Sequence, residues 1–273
     1  MTIGLYGFGF LNRAIEHAFG NNNNILYYSL DEKNCDLDGL VKSDFIFMAL
    51  PTPMRLKDGS CDLSIIESSL DELAKRKYRG IIIIKSTIPP GSCEKWVKKF
   101  RLKIVFSPEF LTERSAKLDF INSSRHILGG KKKDMDKVEK LLRTRFVATP
   151  IFKTNFRTAE FIKYMCNCFF TTKVIYMNIM YQIAKKCGLD YDLALKGFLT
   201  DYRIGNSHYQ VPGPDGKLGF SGSCFPKDLN AFIYWLKSIG MKDEAKFFEI
   251  IWKLNLKYRP EKDWETLKGR VIS

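Results

Sequence analysis

The chain has 273 residues and no apolar run near the ~20 that a membrane helix needs. The apolar stretch at residues 80–84 runs straight into Lys85. A membrane-spanning protein is therefore not expected. The opening residues, MTIGLYGFGF, lack a basic segment and a small-residue cleavage site, so a secretory signal is not expected either. The seven cysteines (35, 61, 93, 166, 168, 187 and 224) include no CxxC pair and are odd in number. That argues against a disulfide framework or a cysteine metal cluster, and for reduced thiols in a cytoplasmic setting. Acidic residues are scarce, 30 against 44 basic ones, giving a net charge of +14. Such a balance favours anionic partners: nucleic acid, a membrane surface or phosphorylated small molecules. The basic residues are scattered, however, and the triplet at residues 131–133 reads as a solvated loop before a helix. No basic-aromatic motif of a nucleic-acid module is present, so neither nucleic acid nor membrane is an expected partner.

What is there is the composition of a globular protein, 45% hydrophobic and 27% charged, long enough for one large domain or two ordinary ones. The first half alternates between short apolar runs and helical periodicity. Strands are expected at residues 2–6, 25–29, 44–50, 81–85, 103–106 and 125–128, and helices at 11–19, 63–77, 92–100 and 134–142. That alternation predicts an α/β fold with a parallel, doubly wound sheet, and functional loops at the carboxyl ends of its strands. The second half reads as helical. One long helix is expected over 158–187, others over 189–199 and 226–252, and an apolar helix over 243–258. Between them, residues 201–223 are rich in glycine and proline without periodicity, as functional loops often are.

Five motifs carry chemistry. Gly7-x-Gly9-x-x-Asn12 follows a strand and opens a helix. Gly7 permits the tight turn, and Gly9 lets the backbone approach a pyrophosphate at the helix start. Asp31, 19 residues beyond Asn12, can bind ribose hydroxyls, which favours NAD over NADP. Asn12 stands where a third glycine is usual, so looser helix–strand packing is expected. The second motif, KSTIPPG at 85–91, follows a strand. The third, FSPEFLTE at 106–113, reads as a helix start with Ser107 as cap, which would put Glu109 and Glu113 on one face. These acids either suit the first turns of a helix or form a pair able to raise a carboxyl into general-base range. The fourth is Glu160-x-x-Lys163-x-x-x-Asn167. From its apolar neighbours alone, an exposed Lys163 is the leading reading, and a buried oxyanion-stabilising ammonium the other. The fifth, GFSGSCFPKD at 219–228, ends a glycine-rich loop with Cys224 where a helix begins, near Lys227. A helix N-terminus and a cation both favour a thiolate nucleophile, and Asp228 can hold a proton or a water.

Taken in order, GFGFLN, ALPTP, IIIIKSTIPPG, FSPEFLTE, AEFIKYMCN, DYRIG and GFSGSCFPKD resemble the UDP-glucose/nucleotide-sugar 6-dehydrogenase family over residues 1 to about 255. The resemblance implies a Rossmann-like NAD-binding domain at 1–150, then a helical dimerisation and catalytic domain at 151–260. It implies oxidation of a primary alcohol to a carboxylate by two hydride transfers to NAD, through a thiohemiacetal and a thioester on Cys224. It implies that Lys163 and Asn167 stabilise oxyanions, that Asp228 and Thr87 hold a water, and that Glu109 is the acid–base group. Gly7, Phe8, Gly9, Phe10, Leu11, Asn12, Asp31, Thr52, Ser86, Thr87 and Glu113 match the cofactor side. Arg203, Lys217, Gly219, Phe220 and Ser221 match the substrate side, together with Glu109, Lys163 and Asn167.

The chain departs from the family at three further places. Ser221 replaces a usual glycine, and residues 210–216 lengthen the loop before Cys224. Residues 261–273 look like the linker into a second Rossmann-like domain that would grip the nucleoside diphosphate. That domain is expected to be either missing or supplied by a separate UDP-binding chain. The apolar face of Phe247, Phe248, Ile251, Trp252 and Leu254 is expected to seek a partner, a homodimer being the simplest. The alternative to an enzyme is a non-catalytic or partner-dependent subunit that binds NAD.

Overall fold

The computed structural model describes residues 1–29 and 36–273. Among them the chain runs β1 (Thr2–Tyr6), α1 (Phe10–Phe19), β2 (Asn24–Tyr28), α2 (Leu37–Leu40), β3 (Phe45–Met48), α3 (Ser64–Lys75), β4 (Ile81–Ile84), α4 (Ser92–Phe100), β5 (Lys103–Phe106), α5 (Ala116–Ile121), β6 (His126–Gly130), α6 (Lys132–Arg143) and β7 (Ile151–Thr154). Helices follow: α7 (Phe156–Cys187), α8 (Tyr191–Phe198), α9 (Phe225–Ser238) and α10 (Lys242–Tyr258). The chain folds into two compact units, Met1–Thr52 with Asp62–Lys163, and Pro53–Cys61 with Tyr164–Ser273.

The first unit is a seven-stranded sheet in the order β2-β1-β3-β4-β5-β6-β7. Its strands alternate which face each side chain enters, as the period of two dictates. Ile3, Leu5, Phe45, Phe47, Ile81, Ile83 and Val105 pack under α1, α5 and α6. Ile46, Met48, Ile82, Ile84, Ile104 and Phe106 pack against α2, α3, α4 and the start of α7. Helices on both faces make the sheet doubly wound, as expected. One expectation is corrected: β6 runs antiparallel to β5, and the other pairs are parallel. Between these strands lie a 3-10 turn and the six-residue α5, and the chain re-enters the sheet at the end where it left. The strand β7 escaped the sequence reading because IFKT is short and only half-buried.

The second unit gathers the rest of α7 with α8, α9 and α10. Its core is Tyr164, Cys168, Ile175, Phe220, Leu229, Phe232, Ile233, Leu236, Ala245 and Ile251. The 32 residues of α7 contain no glycine or proline, and Gly188 follows with φ +66°. The single helix expected over 226–252 is two, because Gly240 takes φ +88° between α9 and α10. Most of the α10 face expected to seek a partner is covered within the unit. Ile251 is buried, and Phe248, Trp252 and Leu254 pack against the same core, which leaves Phe247 outside. Pro53–Cys61 joins this unit through Met54, which bridges Cys61 and Ile272 and packs with Trp264 and Val271. No helix among the described residues is long and apolar enough to cross a membrane.

Candidate functional site

Several of the expected site residues lie at the carboxyl edge of the sheet. Gly7 leaves β1 with φ +81°, where a Cβ would stand 2.8 Å from the Ala49 carbonyl oxygen, so only glycine fits the turn. A Cβ at Gly9 would meet nothing within 4 Å, and no side chain caps α1 at this N-cap position. The turn Gly7-Phe8-Gly9-Phe10-Leu11 therefore presents open backbone at a helix N-terminus. Asn12 corrects the expectation of loose packing. It is fully buried, and its amide donates to the carbonyls of Tyr6 (3.1 Å), Gly7 (2.5 Å) and Phe47 (3.4 Å). The side chain ties the turn to β1 and β3 rather than leaving a gap. Asp31 lies outside the described residues. Thr52, Ser86 and Thr87 are buried beyond the ends of β3 and β4. The Ser86 hydroxyl donates to the Leu50 carbonyl (2.7 Å) and accepts from the Leu50 N–H (3.0 Å).

Glu109 sits beyond β5, but not in a helix. Residues 107–112 are irregular, and Glu113 opens a 3-10 turn, so the two acids share no helical face. Tertiary bonds override the helix-start pattern. Lys163 donates to the Glu109 carbonyl (2.7 Å) and to Glu109 Oε1 (3.0 Å), while Oε2 accepts the Leu111 N–H (2.6 Å). Lys163 is only 2% exposed, against the exposed reading that its sequence neighbours favoured. Beside it Lys85, also buried, lies 3.3 Å from the Ser107 hydroxyl and 3.4 Å from the Pro108 carbonyl. Burial pushes the Lys85 ammonium down to about 8; Glu109 opposes that shift and Lys163 adds to it. Two buried lysines and one carboxylate thus form a charged cluster held by β4, the loop after β5 and the first turns of α7.

Asn167, Cys224 and Asp228 belong to the helical unit. Cys224 is half-buried at the N-cap of α9, with Pro226 in the first turn. Asp228, one turn on, is buried and fully used. Its Oδ2 accepts from the Asn167 amide (2.6 Å) and its Oδ1 from the Lys227 ammonium (2.5 Å). Burial works against the Lys227 charge, but Asp228 and the nearby Cys224 and Cys61 thiols raise its pKa above the ordinary lysine range. A lasting cation therefore stands close to the thiol. Asn167 and Asp228, assigned separate tasks on the resemblance, are bonded to one another.

The expected substrate loop is clamped from behind. The Gly219 N–H donates to Asn178 Oδ1 (3.0 Å), and Phe220 exchanges two bonds with the Asn255 amide (2.7 and 3.1 Å). A Cβ at Gly219 would stand 2.6 Å from Asn255 Oδ1, and φ is +69° there. Ser221 donates to Asp263, and Lys217 pairs with Glu261 at 2.8 Å. The lengthened segment is anchored where buried Arg259 meets Asp215. Arg203 is 75% exposed and bonded to its neighbour Asp201. Sequence reasoning gave Lys85 no role and passed over Asn178, Asn255 and Arg259, because each acts on a loop far away in the chain.

Residues 29–147 match the NAD binding domain of the UDP-glucose/GDP-mannose dehydrogenase family, and residues 157–257 match its central domain. The chain belongs to this family. The match to the first domain begins after the glycine turn; the second takes in Lys163, Asn167, Cys224 and Asp228. UDP-glucose 6-dehydrogenase of Rickettsia typhi is 32% identical over 262 residues, 92% of this chain and 55% of the relative. UDP-glucose 6-dehydrogenase TuaD of Bacillus subtilis is 32% identical, over 92% of this chain and 56% of its own. The chain thus spans about half the length of these relatives. Among solved structures, a UDP-glucose dehydrogenase from Pyrobaculum islandicum superposes with a TM-score of 0.81 at 24% identity, covering 95% of this chain and 68% of the other. A UDP-D-ManNAc dehydrogenase from Pyrococcus horikoshii gives 0.80 at 22%, covering 95% and 69%. At such identities these likenesses bear on the fold alone.

Proposed function

We propose that this chain carries out the NAD-dependent oxidation of a nucleotide sugar, with UDP-glucose to UDP-glucuronate as the leading reaction. The observation that carries the reading is the N-cap position of Cys224 beside a lysine held charged, in a chain of this family. A helix N-terminus and a fixed ammonium stabilise a thiolate. The uncapped start of α1, with open space at Gly9, fits a dinucleotide pyrophosphate. Gly7 to Asn12, Thr52, Ser86, Thr87 and Glu113 would hold NAD, with Asp31 at its ribose, and bound NAD accepts hydride from the sugar.

The remaining chemistry falls to the protein's own groups. The primary alcohol loses a proton and a hydride to give an aldehyde. The Cys224 thiolate adds to it, forming a C–S bond in a thiohemiacetal. Loss of a second hydride, for which a second NAD would be the acceptor, together with the hydroxyl proton leaves a thioester, and water cleaves the C–S bond to give the carboxylate and the free thiol. Lys163 and Asn167 stabilise the oxyanions that arise on the way. Glu109 moves the proton of the hydrolytic water, which Asp228 and Thr87 hold. Arg203, Lys217, Gly219, Phe220 and Ser221 meet the sugar nucleotide.

A homodimer is part of this proposal. Met165, Phe169, Tyr176 and Ile183 recur at helical spacing on α7, and Phe169 is 60% exposed. No residue of α8 is buried. A cytoplasmic setting suits the six described cysteines, none of which is in a disulfide. The second reading is a subunit that binds NAD and works only with a partner chain, which the match to the NAD binding domain supports equally. An NADH-absorbance assay of the purified chain with UDP-glucose, GDP-mannose and N-acetylated UDP-sugars tests both. Two NADH per sugar, abolished in Cys224→Ala, is expected. Completion of both oxidations by Cys224→Ala would remove the thiol from the mechanism, and turnover only with added partner would favour the second reading.

A further inference from the structure

Glu160 has no part in the chemistry above, yet it is fully buried on the second turn of α7. Both its carboxylate oxygens are used: they accept the N–H groups of Gly91 (2.5 Å) and Cys93 (2.8 Å). These amides open α4, whose N-cap residue is Gly91, at φ 95° and without a side chain to offer. A helix start of this kind needs an acceptor from elsewhere. Glu160 supplies it from a helix 67 residues further along the chain.

The segment that leads into α4 is short and pinned at both ends. Ser86 is tied to Leu50 by two hydrogen bonds, and Ser92 closes the far turn by donating from its hydroxyl to the Pro89 carbonyl (2.6 Å). Only Thr87, Ile88, Pro89 and Pro90 lie between Ser86 and the amide that Glu160 holds. One turn on from Glu160, Lys163 grips the carbonyl and carboxylate of Glu109. A single stretch of α7 therefore fastens two neighbouring strand-end loops, one bearing Thr87 and the other Glu109. We propose that Glu160 is a positioning residue that seats Thr87 by capping α4, registering it to the same helical turn that holds Glu109. The inference rests on the functional reading above.

The groups facing the carboxylate are the Cys93 thiol and, from α4, Glu94, which is itself paired with Arg157 at 2.8 Å. Burial pushes the Glu160 carboxyl up to about 7, against the lowering effect of its hydrogen bonds from Cys93 and Gly91. The double cap therefore forms as the carboxyl ionises.

The test uses Glu160→Gln in the full chain, with Cys93→Ala as a control that keeps the backbone N–H. A glutamine turns its NH2 toward one of the two amides, so hydrogen exchange at Gly91 and Cys93 should speed up by about tenfold. With NAD and the active sugar, kcat should fall roughly tenfold or more while KM for the sugar stays within about twofold. The wild-type kcat should rise through pH 7, and the variant should lack that inflection. Cys93→Ala, which loses the thiol's bond to the carboxylate but keeps the amide, should change both readouts less than Glu160→Gln. Wild-type exchange rates in Glu160→Gln overturn the cap. Faster exchange with unchanged kcat overturns the positioning role. If the wild-type chain oxidises no sugar, the functional reading fails separately, and exchange alone then decides whether Glu160 holds this loop.

Discussion

Replacing Lys163 with methionine should destabilise the protein strongly. The Lys163 and Glu109 side chains are 3% and 9% exposed and lie 3.0 Å apart. Removing one member of such a pair strands the other charge in a low-dielectric interior, at a cost of about 3–5 kcal/mol. Lys85 remains nearby and offsets part of the Glu109 charge, which points to the lower end, about 3 kcal/mol. With roughly 2–4 °C lost per kcal/mol in a chain of this size, Tm should drop by about 6–12 °C. Urea titration followed by far-UV circular dichroism measures the change directly. The double variant Lys163→Met/Glu109→Gln should recover much of the loss, because no unpaired carboxylate remains. A loss below about 1 kcal/mol in the single variant, or no recovery in the double, would refute the buried pair.

Two buried groups should oppose one another in acid. His126, pushed down to about 4 by burial with help from Lys85 and Arg143, costs stability as pH falls from 6.5 toward 4, by roughly 3 kcal/mol. Glu160, raised from 4.5 to about 7, adds a similar amount as pH falls from 7 toward 4.5. His126→Phe should therefore leave stability rising on acidification, and Glu160→Gln should leave it falling. Urea midpoints at several pH values between 4 and 7 check this, and parallel slopes in both variants would contradict it. Asn12→Gly removes three amide bonds and should cost about 1–3 kcal/mol while weakening NAD binding, read by protein fluorescence titration. Phe169→Glu should shift the chain toward monomer in sedimentation velocity, with little change in Tm, because the ring is exposed within the chain.

Local features were the ones the sequence revealed. The strands with runs such as IIII, the Gly7 turn and the helix start at Cys224 depend on neighbouring residues, and each stands where the pattern put it. What escaped notice depends on distant partners. FSPEFLTE has every mark of a helix start, but the lysine that holds Glu109 lies 54 residues away. The same distance hid Lys163: its apolar neighbours said nothing of the carboxylate it would meet. Asn12 looked like a defect in a glycine pattern, since the three carbonyls it serves come from β1, its turn and β3. The reversal of β6 follows from a connection whose helix is six residues long, a detail of path rather than of composition.

The segment Pro53–Cys61 leaves the sheet unit, joins the helical one and returns. The covalent thread consequently passes between the two units three times, and no single cut separates them. A fragment ending at residue 163 would carry Met54 without Trp264, Val271 and Ile272; one beginning at 164 would lack the strand-like bridge those residues complete. Anyone building chimaeras with a relative would have to exchange this nine-residue excursion together with the helices, or the graft would be left with an unfilled apolar seam.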